Sequence, residues 1–413
     1  MTEKMKPSGF DYLGNIPASW DVKRFKYCVQ ICNGGEYADI EVEEGGYPVI
    51  GSGGEFARAS KYCYRGESVL LGRKGTVDKP LYVNDAFWCV DTMFYTKAKQ
   101  GMIPKFLYYC ALCFRFDYYV TATALPSMTQ KDLGSEMIAV PPTNEQQAIA
   151  DFLDIQCAKI DSVIADIEKQ IDTLQKYKKS MITEAVTKGL DRSVPMKDSG
   201  IEWIGEIPKH WNINKTRYLA SLCSGATPSK DVYTYWEGNI PWVSSQEVKS
   251  DIITDTSLHI SEEAIRSCST KLMPAGTLVM VVRSGILQHT IPVALLGVPA
   301  TINQDIKAFV FKPEMIPAYY KYYIQGENDA LLNVLIKDKT TVESIDNNLL
   351  LSLRVMVPPI QEQKDIVNYL DERCSKIDSI ISDKQAQLDA IIQHKKSLIY
   401  EYVTGKKRVT EVN

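Results

Sequence analysis

The chain repeats itself, and this duplication limits its possible folds more than any composition does. Residues 8–20 read SGFDYLGNIPASW and residues 199–211 read SGIEWIGEIPKHW, an offset of 191 between positions 8 and 199. Residues 140–187 and 357–404 match without a gap at about half of their positions, from Val140-Pro141-Pro142 and Val357-Pro358-Pro359 onward, at an offset of 217. Such a period marks one structural module written twice. The offsets differ by 217 − 191 = 26 residues, so the second globular region is the longer. The interiors, 21–136 and 212–353, match only faintly. A duplicated frame with diverged contents predicts two like scaffolds that read two different things.

The second matching stretch has helical spacing. From Ile149, apolar residues fall at Leu153, Cys157, Ile160 and Ile164 and on to Ala185, in steps that alternate between four and three, with a polar break at Lys178. The second copy runs from Ile366 through Leu370, Cys374 and Ile377 to Tyr402, with breaks at Lys384 and Lys395. A seam of this period is a coiled-coil stripe. Thr143-Asn144-Glu145-Gln146 fits a capping box, and Ile360 requires a different cap in the second copy. A helix of about 44 residues spans roughly 66 Å at ~1.5 Å per residue, and a rod that long needs a partner for its stripe. The other copy is the obvious one. The predicted class is therefore α+β: two mixed α/β domains separated by two long antiparallel coiled-coil helices, related by a pseudo-twofold axis. The expected boundaries are a domain over 1–142, a helix over 143–190, a domain over 191–359 and a helix over 360–413.

Both globular regions alternate short strand-like runs, such as Ser68–Leu71 and Leu278–Val282, with Gly and Asn turns. One feature recurs. Leu70-Leu71-Gly72-Arg73-Lys74-Gly75 compares with Val281-Val282-Arg283-Ser284-Gly285, a strand ending in a Gly-flanked basic turn. Glycine lets backbone approach a phosphate, and Arg can fork onto guanine or phosphate. Gly72, Arg73, Lys74, Gly75, Arg283 and Ser284 are therefore candidate DNA contacts. Arg58 and Lys61 join them in the first domain, and Ser244, Ser245, Gln246 and Lys249 in the second. An ordinary solvated turn accounts for the same residue types.

Other chemistries find little support. There is no Walker A sequence. Gly51-Ser52-Gly53-Gly54 lacks the strand–helix setting of a dinucleotide loop. The Asn-Pro-Pro-Tyr or Asp-Pro-Pro-Tyr run of an adenine methyltransferase is absent. Cys110-Ala111-Leu112-Cys113 lies in an aromatic helical run without a second pair, which suits a buried face better than a metal site. Glu247-Val248-Lys249 resembles the tail of a nuclease motif, but such triplets are common. No apolar run reaches the ~18–20 residues of a membrane span, and no signal peptide is expected at Met1. Ten scattered Cys suit free thiols in a cytoplasm. The formal net charge of -4 argues mildly against nucleic acid, although only the surface that faces phosphate must be positive. No catalysis, cofactor or metal is expected of the chain itself.

The paired openings around Gly14-Asn15-Ile16-Pro17-Ala18-Ser19-Trp20 and Gly205-Glu206-Ile207-Pro208-Lys209-His210-Trp211 carry a resemblance. So do the paired helix entries at Val140–Gln146 and Val357–Gln363 and the turn at Gly72–Gly75. Together, over essentially the whole chain, they resemble the specificity subunit of type I restriction–modification enzymes. That resemblance implies two target-recognition domains, each reading one half of an asymmetric bipartite site on double-stranded DNA. It implies helices that set the spacer and dock two modification subunits. Those subunits would bind S-adenosylmethionine and methylate adenine at N6, while restriction subunits would use ATP and Mg to cut unmethylated DNA. Arg283-Ser284-Gly285 departs from the fuller basic run of the first domain. A helical-hairpin adaptor without DNA readout, and a stand-alone nuclease or methyltransferase, are the rival readings.

Overall fold

The computed structural model describes residues 4–119, 126–268, 270–336 and 343–409. The chain divides into two compact units, residues 1–169 with 385–413 and residues 170–384. Both divisions fall inside long helices, Thr143–Lys188 and Ile360–Val403. Each unit therefore contains a mixed α/β domain, the start of one long helix and the end of the other. This is the α+β class with an internal repeat that the duplication predicts.

In unit one, a four-stranded antiparallel sheet is ordered Val29–Asn33, Met93–Ala98, Ser68–Gly72, Leu81–Val83. The run Ser68-Val69-Leu70-Leu71-Gly72 is buried throughout, as the apolar centre of a covered sheet should be. A second sheet pairs Tyr47–Gly51 in parallel with Ala86–Cys89 and antiparallel with Gly54–Ala59. The helix Pro104–Ala111 opens on Pro at its first turn and packs Phe106, Leu107 and Cys110 into the core. Trp20, Phe25, Leu153, Cys157, Ile399 and Val403 belong to the same core.

In unit two, a five-stranded sheet is ordered Ala220–Ser224, Ile306–Phe311, Leu278–Val281, Val293–Leu296, Ile252–Ile253. A three-stranded sheet centres on Ile240–Val243, which pairs in parallel with Thr301–Ile302. The helix Pro317–Gly326 again opens on Pro and buries Tyr319, Tyr320, Tyr322 and Tyr323. Trp211, Met181, Ile182, Ile366 and Leu370 share its core.

The repeat extends to individual hydrogen bonds. Trp20 Nε1 donates to Glu145 Oε2 at 3.0 Å, and Trp211 Nε1 donates to Glu362 Oε1 at 3.0 Å. Both indoles are fully buried, so each N–H needs an acceptor. Tyr109 Oη donates to Asp154 at 2.5 Å, as Tyr322 Oη does to Asp371 at 2.6 Å. The predicted capping box does not form. The Thr143 hydroxyl donates to the Gly101 carbonyl at 3.1 Å. Gln146, also fully buried, donates to Pro141 O and Gly101 O and accepts from the Ile103 amide. The backbone entering the aromatic helix engages that amide side chain instead. Gln363 makes the matching set with Pro358 O, Glu314 O and the Ile316 amide, although Ile360 stands where Thr143 does. The glutamine, not the threonine, secures the helix entry.

Two of the three polar breaks in the seam, Lys178 and Lys395, form ion pairs between helices. In unit one, Lys395 Nζ lies 2.6 and 2.7 Å from the Asp161 carboxylate oxygens, and the Phe152 and Tyr402 rings are 4.5 Å apart. In unit two, Lys178 Nζ lies 2.7 Å from both oxygens of Asp378, and Gly189 comes up against Glu362. Rising numbers face falling numbers in each unit, so the helices pair antiparallel.

Strand pairing shows where the second domain grew. Val49 pairs with Trp88 as Trp242 pairs with Thr301, and Leu71 pairs with Phe94 as Met280 pairs with Lys307. From 49 to 71 is 22 residues and from 242 to 280 is 38, so 16 of the 26 added residues enter here.

Candidate nucleic-acid interface

The basic turn in unit one is built on a close backbone approach. A Cβ on Gly72 would lie 2.4 Å from the Thr76 carbonyl oxygen, so only glycine fits. Arg73 N and Lys74 N both donate to Thr92 O, at 2.9 and 3.1 Å, and Gly75 N donates to Pro126 O. Gly75 has φ +81°, in the left-handed region. The Arg73 guanidinium turns back onto the scaffold, donating to Asp91 O at 3.2 Å and lying over the Phe94 ring. Lys74 is the exposed cation of the turn.

Unit two repeats this framework. Val282 N and Arg283 N donate to Asp305 O, Ser284 N donates to Glu343 O, and Ile345 N donates to Val282 O as Met128 N does to Arg73 O. Lys74 bridges Ser127, and Arg283 bridges Ser344. Arg283 therefore occupies the place of Lys74, and Ser284 that of Gly75. Both turns present one exposed cation at one position. The Ser284 hydroxyl accepts from the Ile286 amide and caps the short turn Gly285–Gln288.

Arg58 is tied into its own hairpin. It donates to Gly45 O at 2.5 Å, Gly46 O at 2.9 Å and Glu55 Oε1 at 2.7 Å. Lys61 lies exposed just beyond that strand. Gly51-Ser52-Gly53-Gly54 forms the tight link between strands Tyr47–Gly51 and Gly54–Ala59. The equivalent place in unit two, after Ile240–Val243, holds the loop with Ser244, Ser245, Gln246 and Lys249. Ser244 O closes a turn by accepting from Glu247 N, and the Glu247 carboxylate accepts from Ser257 N.

Within unit two, a cleft of about 840 Å³ brings Ser245, Gln246, Lys249 and Ser284 together. Lys178, Lys179 and Asp378 from the long helices face them across it. Lys178 is paired with Asp378 and Lys179 with Asp329, while Lys249 is exposed. Asp251 closes one end. Its Oδ2 lies 2.7 Å from Lys321 Nζ, and its Oδ1 accepts from Gln325 Nε2 at 2.8 Å. Burial pushes the Asp251 carboxyl up, but the charge and hydrogen bond of Lys321, with the Gln325 bond, hold it below its ordinary value. Sequence reasoning did not single out Asp251 or Lys321. The available signal was a lysine inside the aromatic run Tyr319–Ile324, because a buried lysine calls for an acid.

Among the described residues, no group of three or more His, Cys, Asp or Glu could hold a metal ion. Burial pushes the Cys110 thiol well above its ordinary value and Cys113 up to about 12, so both are thiols rather than thiolates. No helix among the described residues is long and apolar enough to cross a membrane.

Two like frames bear unlike loops, and each unit holds part of both long helices. The model of the type I restriction modification DNA specificity domain matches residues 17–173 and again 208–390, and the chain belongs to that family. It is 36% identical to the EcoR124I/EcoR124II specificity subunit of Escherichia coli over 185 residues. That match covers 44% of this chain and 43% of the relative, less than half of it. It is 25% identical to the MjaVIII specificity subunit of Methanocaldococcus jannaschii over 421 residues, 96% of this chain and 95% of that one. Among solved structures, a chain from a study of complex assembly and conformational transition in the type I R-M system shares the fold. Its TM-score is 0.70 at 15% identity, over 95% of this chain and 99% of that one.

Proposed function

We propose that the chain reads an asymmetric, bipartite duplex DNA site for a type I restriction–modification complex, one half-site per domain. The observation that carries this reading is a like frame bearing unlike loops at one place: the Gly51–Gly54 hairpin in unit one and the 244–251 loop in unit two. Base-edge contacts select sequence while phosphate contacts position the reader. Lys74 and Arg283, equivalent exposed cations, suit phosphate. Arg73 and Arg58 brace their own turns, and the loop side chains Ser245, Gln246 and Lys249 suit bases.

The long helices supply a spacer and two docking surfaces for modification subunits. Lys159, Ser162, Val163 and Asp166 form one exposed face at helical spacing, and Lys376, Ser379, Ile380 and Asp383 repeat it on the second helix. Val163 and Ile380 are each 45% exposed. Two copies of one partner, docked alike on the two helices, would meet the same exposed residues. The modification subunits would hold S-adenosylmethionine, restriction subunits would hold ATP and Mg, and the complex would work in the cytoplasm. The test is methylation of duplex DNA by the purified chain with and without modification subunits. The expected result is site-specific adenine methylation only when both are present. Methylation by the chain alone would make it an enzyme, and a complex without sequence preference would make it an adaptor.

A further inference from the structure

We propose that Asp251, Lys321 and Gln325 form a clamp that fixes the 244–251 loop for base readout, with Lys321 as a positioning residue for the second domain's half-site. The inference rests on the DNA-reading function above. Lys321 is only 3% exposed, on the helix Pro317–Gly326, and its Nζ also lies over the Tyr322 ring at 4.3 Å. A lysine so buried needs its charge compensated, and Asp251 provides this from the end of the loop.

The frame itself does not require this lysine. The hydrogen-bonded pairs Tyr109–Asp154 and Tyr322–Asp371 fix the correspondence of the two aromatic helices and set Tyr108 of unit one opposite Lys321. Tyr108, a side chain without a charge to compensate, packs against Tyr82 and Tyr109. Unit one also has the short Gly51–Gly54 link where unit two has the long loop. The lysine and the acid thus accompany the inserted loop, not the shared scaffold.

The loop has three anchors. Val243 ends the strand, Val248 is buried in the core, and Asp251 is held by the clamp while its carbonyl accepts from Leu295 N. Between these anchors Ser245, Gln246 and Lys249 line the cleft. A contact that distinguishes bases depends on side chains held in place, so freeing the third anchor blurs readout in one half-site only.

The test uses Lys321→Met and Asp251→Asn, each assembled with modification subunits, and methylation of duplexes carrying single mismatches in either half-site. Domain exchange identifies the half-site read by residues 212–353. The expected result is a loss of discrimination of about tenfold there, the size of one lost base contact, with the other half-site unchanged. Asp251 is half exposed, so Lys321→Met leaves only a solvated carboxylate, whereas Asp251→Asn strands the buried Lys321 charge. Lys321→Met combined with Asp251→Asn removes both charges and carries the test if Asp251→Asn does not fold. Unchanged discrimination at both half-sites, or equal loss at both, overturns the clamp. A wild-type complex that discriminates at neither half-site overturns the DNA-reading function itself.

Discussion

Lys178 Nζ sits 2.7 Å from both carboxylate oxygens of Asp378, and the repeat copies the pair as Lys395 with Asp161. Each lysine interrupts an apolar seam, and each finds its acid on the other long helix. Polar residues at seam positions specify register more than they add stability. The lysines are about a quarter exposed and the acids about half, so each pair contributes about 0–1 kcal/mol. Lys178→Met is therefore expected to change unfolding free energy by less than about 1 kcal/mol. Lys178→Glu, which sets like charges opposite, lowers it, and Lys178→Glu with Asp378→Lys restores it. Denaturant unfolding of the three variants checks this.

The repeated helix face predicts stoichiometry. Val163→Asp or Ile380→Asp alone leaves one modification subunit bound per chain, and the double variant leaves none. Ile155 is exposed on the same face, but its counterpart is Glu372, so Ile155→Glu keeps both. Native mass measurement of the assembled complex reads these outcomes.

Glu327 predicts a pH dependence. Burial pushes its carboxyl up to about 7, with Lys179 and Lys188 opposing. The folded state holds a proton that the unfolded chain releases near the ordinary Glu value, so this group's contribution is full below about 4.5 and is lost as pH rises to about 7. Glu327→Gln removes the loss. The variant is expected to match wild type near pH 4.5 and exceed it by on the order of 2 kcal/mol at pH 8, as measured by denaturant unfolding across pH.

Gly72→Ala forces backbone apart at the basic turn, because the new methyl meets the Thr76 carbonyl and Val77 Cα. A destabilisation of about 1–3 kcal/mol is expected, along with weaker discrimination in the first domain's half-site alone. Thermal unfolding and half-site mismatch assays check both parts.

Local and periodic features were legible in the sequence. The 3.5-residue seam gave the helices, and the recurring Ser, Gly, Ile, Pro and Trp gave the two openings. Pairings distant in sequence were not legible. The seam breaks at Lys178 and Lys395 are answered by acids 200 and 234 residues away. Thr143 looked like a cap because its true partner, the Gly101 carbonyl, lies outside any local motif. Comparing the basic turns by sequence favoured their arginines, whereas backbone hydrogen bonds to Thr92 and Asp305 set Lys74 opposite Arg283. The candidate side chains were visible as residue types, but their grouping depends on which strand a loop follows.

The central claim is one domain for one half-site. It is tested most directly by mapping adenine methylation in DNA from cells carrying this chain with its modification subunit, before and after residues 212–353 are exchanged for those of a relative. The account predicts a two-part motif of which one part changes while the other part and the gap stay the same. A change in both parts, or in neither, would contradict it.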